Sequence, residues 1–181
     1  MSESNICTTV NYNTKKINNI VKEVCKIKEK LNNQCSFTID NTSDTPEPSG
    51  RYSLENNTIA IGFNSGIKKQ KKCGISIGSN AGSETQGENS IAIGSNAGNN
   101  IQRENSVAIG NQAGYDLQDN NSIAIGNQSG KNEQGSLTIS IGYQAGYDIQ
   151  KENSIAICNC SGQMNQDTNS IAIGNCSGQN N

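Results

Sequence analysis

From Asn57 onward the large aliphatic residues come in pairs, two positions apart, and each pair returns after 16 residues. The pairs are Ile59/Ile61, Ile75/Ile77, Ile91/Ile93, Val107/Ile109, Ile123/Ile125, Ile139/Ile141, Ile155/Ile157 and Ile171/Ile173. Glycine follows each pair, at Gly62, Gly78, Gly94, Gly110, Gly126, Gly142 and Gly174, except where Cys158 takes the place. A second glycine recurs four residues later, from Gly66 to Gly178, and glutamine recurs at Gln70, Gln86, Gln102, Gln118, Gln134, Gln150 and Gln166. In the copy Asn89-Ser90-Ile91-Ala92-Ile93-Gly94, strict alternation predicts a short strand with Ile91 and Ile93 on one face and Ser90 and Ala92 on the other. Gly94 and Gly98 mark bends, where a positive φ costs glycine nothing. A unit this short cannot bury a core alone, so the copies must stack. The expectation is a mainly β chain, with residues 57–181 forming a parallel β-roll or β-helix solenoid of eight coils. The isoleucine pairs are read as its inner stripe and roll core, and the glutamines as a stacked amide ladder.

Upstream the period changes. Ile17, Ile20, Val24, Ile27 and Leu31 fall at alternating intervals of three and four, a heptad pattern that predicts a coiled-coil helix over residues 14–33. β-Branched residues at both heptad seams favour three or more strands over two, so these five residues are the expected trimerisation contacts. Residues 1–13 are polar and read as a flexible N-terminus. Residues 34–56, with Pro46, Pro48 and Gly50 and few aliphatics, read as a connector.

Composition changes the picture in one respect. Only 31% of the 181 residues are hydrophobic and 4% aromatic. So lean a chain has little to hold a lone monomer together, and oligomerisation is the natural remedy. Charge is uneven: residues 1–72 carry 11 Lys/Arg against 7 Asp/Glu, while residues 73–181 carry 3 against 9. An acidic repeat region argues against nucleic acid as its partner. No apolar run reaches transmembrane length, and the N-terminus lacks the apolar stretch of a secretory signal.

The unit Asn-Ser-Ile-Ala-Ile-Gly-x-x-Ala-Gly, repeated in phase over residues 57–181, resembles the head repeat of trimeric autotransporter adhesins, the YadA-like heads. It is also similar to repeats in phage tail fibres and in proteins of giant DNA viruses. The resemblance implies a left-handed roll, three chains side by side, and an adjoining coiled-coil stalk. This chain departs from the adhesins in its longer period and in lacking a signal peptide and a C-terminal membrane barrel, which turns the expectation from bacterial autotransport toward a virion component.

Candidate chemistry is sparse. With no histidine, no Gly-x-Ser-x-Gly and no phosphate loop, the chain is expected not to be an enzyme and to need no cofactor or metal. Of the seven cysteines, Cys160 and Cys176 hold the same place in adjacent coils, within reach of a disulfide. The run Lys68, Lys69, Lys71 and Lys72 is the densest basic stretch, and Tyr115 and Tyr147 are aromatic loop positions two coils apart; these six are the candidate ligand contacts. The function expected is a homotrimeric fibre or spike displayed on a particle surface, a virion surface or other extracellular setting. Its partners would be other particle proteins, through the N-terminal region or the roll end, and a host-surface glycan or receptor, with no insertion into a membrane. Two other readings stay open: a soluble adhesion or glycan-binding module, and an internal cement or scaffold protein of a capsid.

Overall fold

The computed structural model describes residues 57–179 without a break, the strand Phe37–Ile39, and five helical positions, Lys16, Asn19, Ile20, Lys22 and Glu23. By contacts the chain divides into two units, Met1–Cys35 and Ser36–Asn181. In the first, Ile20 is 55% exposed. The other heptad positions, Ile17, Val24, Ile27 and Leu31, lie outside the described residues, as do residues 1–13.

The second unit is a parallel solenoid. Three-residue strands at each aliphatic pair, from Ile59–Ile61 to Ile171–Ile173, lie side by side in a nine-stranded sheet whose order follows the chain. Register is strict: Ile91 pairs with Val107, Ala92 with Ala108 and Ile93 with Ile109. Between the first and last of these repeat strands the chain makes about seven turns. Opposite runs a second sheet of four two-residue strands, Lys69–Gln70, Thr85–Gln86, Ile101–Gln102 and Leu117–Gln118. Beyond it, single bridges carry the column on through Gln134, Gln150 and Gln166. Glu133 and Asn165, at φ of 45° and 50°, interrupt the extended backbone a second sheet residue would need.

The ninth strand was not legible as part of the repeat. Phe37–Ile39 sits within the segment expected to be a connector, yet pairs in parallel with Ile59–Ile61, matching Phe37 to Ile59 and Ile39 to Ile61. Its alternation resembles Ile-Ala-Ile, but the distance to Ile59 is longer than the repeat, so the period hides it.

The interior corrects the expected core. Ala60, Ala92, Ala108, Ala124 and Ala156, which lie between the paired aliphatics, are fully buried, as are Ser76 and Ser140 in the same column. The isoleucines flanking them are half-buried and face outward. At the last strand Ile171 and Ile173 are 68% and 60% exposed. Thus Ile59, Ile61, Ile75, Ile77, Ile91, Ile93, Val107, Ile109, Ile123, Ile125, Ile139, Ile141, Ile155, Ile157, Ile171 and Ile173 form an external stripe, not the roll core. The reason is width. The two walls are so close that the space between them is filled by alanine, serine, the threonines Thr58 and Thr138 and the glutamine column, with no isoleucine or leucine among the fully buried residues described.

Glutamine fills the core because it can be fully satisfied. Gln102 Nε2 donates to Ile91 O at 2.8 Å and to Gln118 Oε1 at 3.0 Å, while Gln86 Nε2 donates to Gln102 Oε1 at 3.2 Å. The amide therefore ties one sheet to the other across the coil, and amide–amide bonds join Gln86 through Gln118 and Gln134 through Gln166, while Gln70 Oε1 and Gln134 Oε1 have no donor. Serine does the same locally: Ser90, Ser106, Ser122 and Ser154 hydroxyls each donate to the carbonyl three residues back, at 2.5–2.6 Å.

The abundant asparagine also has a backbone cause. Asn57, Asn89, Asn105, Asn121, Asn153 and Asn169, at the turn into each strand, have φ between 55° and 62°. Among non-glycine residues asparagine tolerates this left-handed region best. Cys73 and Leu137 hold the same turn in the remaining copies, at φ of 57° and 58°.

Candidate functional site

The structure separates the six candidate contact residues. Lys68 Nζ lies 2.6 Å from both carboxylate oxygens of Glu84, on the next coil. Lys69, Lys71 and Lys72 are exposed beside it. Further along the glutamine sheet's outer face, Arg103 meets Asp119 at 3.6 Å and Lys151 meets Asp167 at 2.6 Å. Such solvated pairs contribute at most about 1 kcal/mol each. Within the basic run Lys68 is thus already neutralised by Glu84, and these three ion pairs are separate, each between adjacent coils.

Tyr115 and Tyr147 do share one column, both half-buried, and the residue between them is Lys131. Its ammonium lies 3.2 Å from the Tyr147 hydroxyl and 5.2 Å from the ring centroid. Sequence reading missed Lys131; its place in the repeat, one coil from each tyrosine, was the signal available.

Cys160 and Cys176 are stacked as expected but are free thiols, which corrects the candidate disulfide. Burial, then the Cys176 thiol beside it, pushes the Cys160 thiol above its ordinary value. Cys73 and Cys158 are free as well. Cys158 occupies the turn-glycine position at φ 98°, an angle foreign to residues with a β-carbon. Among the described residues, no group of three or more His, Cys, Asp or Glu side chains could hold a metal ion. No described helix is long and apolar enough to cross a membrane.

One concave feature stands out on the corner that follows the isoleucine strand. A recess of about 700 Å³ spans the first three coils, lined by Asn64, Asn80 and Asn96 from one column and by Ile67, Ser83 and Asn99 from another, with Lys68 and Glu84 at its edge. Side-chain length explains where it ends. The first column continues as Gln112, Gln128 and Gln144, and the second as Tyr115, Lys131 and Tyr147, so longer side chains fill the same corner from the fourth coil on. Within it, Asn99 Nδ2 donates to Asn80 O at 2.9 Å and to Ser83 Oγ at 3.1 Å, and Asn64 Nδ2 donates to Asn80 Oδ1 at 3.2 Å.

A stack of short parallel strands with a polar interior and an apolar outer stripe defines a repeat-built structural solenoid. Residues 74–97 match the family model of the YadA head domain repeat, in two copies. Neither the curated proteins nor the solved structures gave a match to the chain.

Proposed function

We propose that the chain is a non-enzymatic, adhesin-like structural protein: a homotrimeric fibre or spike with a left-handed β-roll head, displayed on a particle surface, a virion in the first instance. The observation that carries this reading is the outward isoleucine stripe. The roll's interior is already full of alanine, serine and glutamine, so the stripe does not serve the single coil. A continuous apolar stripe of this length on a monomer marks a contact surface. Three copies packed stripe to stripe bury it around a common axis. The match of residues 74–97 to the YadA head repeat, and the heptad pattern from Ile17 to Leu31, support the same arrangement. The loops around the corners then face outward, where attachment to a host surface takes place.

Light scattering on the full chain, with and without reductant, tests it. A mass three times that of the chain in both conditions is the expected result. A monomer in both would sink the trimer and leave a solenoid with an unexplained apolar stripe.

A further inference from the structure

We infer that the recess of the first three coils is a binding site for a neutral oligosaccharide. The inference rests on the reading above only in taking surface attachment as the site's purpose; the site itself is argued from its own chemistry.

The volume, about 700 Å³, is in the range of small-ligand sites. Its polar groups are four asparagine amides, the Ser83 hydroxyl and the paired Lys68 and Glu84, and the hydrogen bonds among the amides leave acceptors over. Asn96 Nδ2 is turned to Ser95 Oγ at 3.2 Å, and Asn99 Nδ2 to Asn80 O and Ser83 Oγ, but neither Asn96 Oδ1 nor Asn99 Oδ1 accepts a hydrogen bond. A ligand suited to this surface brings donors, and several, spaced along the stack. Sugar hydroxyls are such donors. An amide side chain also offers its N–H beside its oxygen, so it can meet a hydroxyl pair from both sides.

Charge and apolar surface narrow the class. Lys68 and Glu84 neutralise each other at the rim, so the recess presents no net charge to an anion or a cation. Ile67 forms a buried apolar floor, and with the carbon atoms of the other lining side chains it gives a surface against which the C–H face of a sugar ring can pack. The asparagines repeat once per coil, about 4.8 Å apart, so a linear chain of sugars running along the stack meets an equivalent amide at each step.

The repeat itself supplies blocking variants that preserve the fold. Asn99→Tyr copies Tyr115 from the next coil, and Asn96→Gln copies Gln112. Maltotriose, N,N′,N″-triacetylchitotriose and 3′-sialyllactose are titrated onto the full chain by ligand-observed saturation-transfer NMR, with light scattering on the same samples. At least one of the two neutral trisaccharides is expected to bind with millimolar affinity or better, unaffected by salt. Asn99→Tyr and Asn96→Gln are each expected to weaken it tenfold or more while circular dichroism and a cooperative thermal transition are retained. Absence of binding by both neutral probes, binding that survives Asn99→Tyr, or tighter and salt-sensitive binding of the sialylated probe would each overturn the site. A trimer that binds neither neutral sugar defeats this inference alone, whereas a monomer defeats the fibre reading whatever the sugars do.

Discussion

At the scale of single residues, the repeat exposes its own exceptions. Cys158 stands where the seven other copies carry glycine at φ between 119° and 132°. A β-carbon there is costly: one built on Gly142 would lie 2.5 Å from Cys158 O, and one on Gly94 2.5 Å from Gly110 O. Restoring the repeat with Cys158→Gly is expected to raise stability by about 1–3 kcal/mol, the strain of such a backbone in a residue with a side chain. Leu137, at φ 58° and 53% exposed, is the second exception. Leu137→Asn should add about 1 kcal/mol, since asparagine visits the left-handed region at lower cost. Urea midpoints measure both, and a loss in either variant would mean the odd residue contributes a contact the chain needs. The thiols give a separate reading. Cys160 is held above its ordinary pKa by burial and by Cys176, so less of it is thiolate just above neutrality and the neutral thiol is the form that folding favours. Any stability linked to it is complete below the ordinary thiol range and is lost as pH rises through the raised value. Alkylation by iodoacetamide at pH 8 should therefore be slower at Cys160 than at the exposed Cys158, and Cys176→Ser should narrow the difference. Equal rates before and after that substitution would dismiss the coupling.

At the scale of the strand and its coil, the interior glutamines act as rungs and not as filler. Gln102 makes bonds to Ile91 O, to Gln118 and from Gln86, whereas Gln70, at the start of the column, keeps Ile59 O and Gly74 O but leaves its Oε1 without a donor. Replacing Gln102 with alanine strands polar groups on two neighbours and opens a cavity, for a cost of about 3 kcal/mol. Gln70→Ala should cost clearly less, and equal or inverted losses in denaturant would show that the ladder does not couple coil to coil. The glutamine column was legible in the sequence because it never slips phase over its whole length. Which face of the strand turns inward was not. Alternation separates Ile91 and Ile93 from Ser90 and Ala92 but does not say which side is the interior, and hydrophobicity alone chooses the isoleucines. The wall-to-wall distance decides the matter, and it emerges only when Gln86 and Gln102 are seen reaching across to the strand carbonyls. The strand Phe37–Ile39 escaped for a different reason, a pairing partner at the wrong spacing. The recess escaped because it is made by what is short, Ser83 and Asn99, next to what is long one coil further on.

At the scale of the whole molecule, the inverted strand faces turn a statement about folding into one about assembly. If isoleucines held each roll, placing a charge among them would unfold the coil. With the isoleucines outside, the same change tests the contact between chains. Ile109 lies on the central part of the stripe, flanked in register by Ile93 and Ile125. In one chain, Ile109→Asp exposes a carboxylate to water from a half-buried position, and the main cost is the poor strand preference of aspartate, about 1 kcal/mol. In a trimer packed stripe to stripe, the same substitution drives three carboxylates into one apolar seam, where mutual repulsion and lost hydration add several kcal/mol. The expected outcome is a protein whose circular dichroism and urea midpoint stay close to those of the parent while its mass by light scattering falls to that of one chain. Ile173→Asp, at the already exposed end of the stripe, should leave the trimer largely intact. A parent trimer whose mass does not respond to Ile109→Asp must be held by the N-terminal heptads alone, with the stripe facing something other than its own copies. A variant that unfolds would instead return the isoleucines to the role of core, against the geometry of the roll.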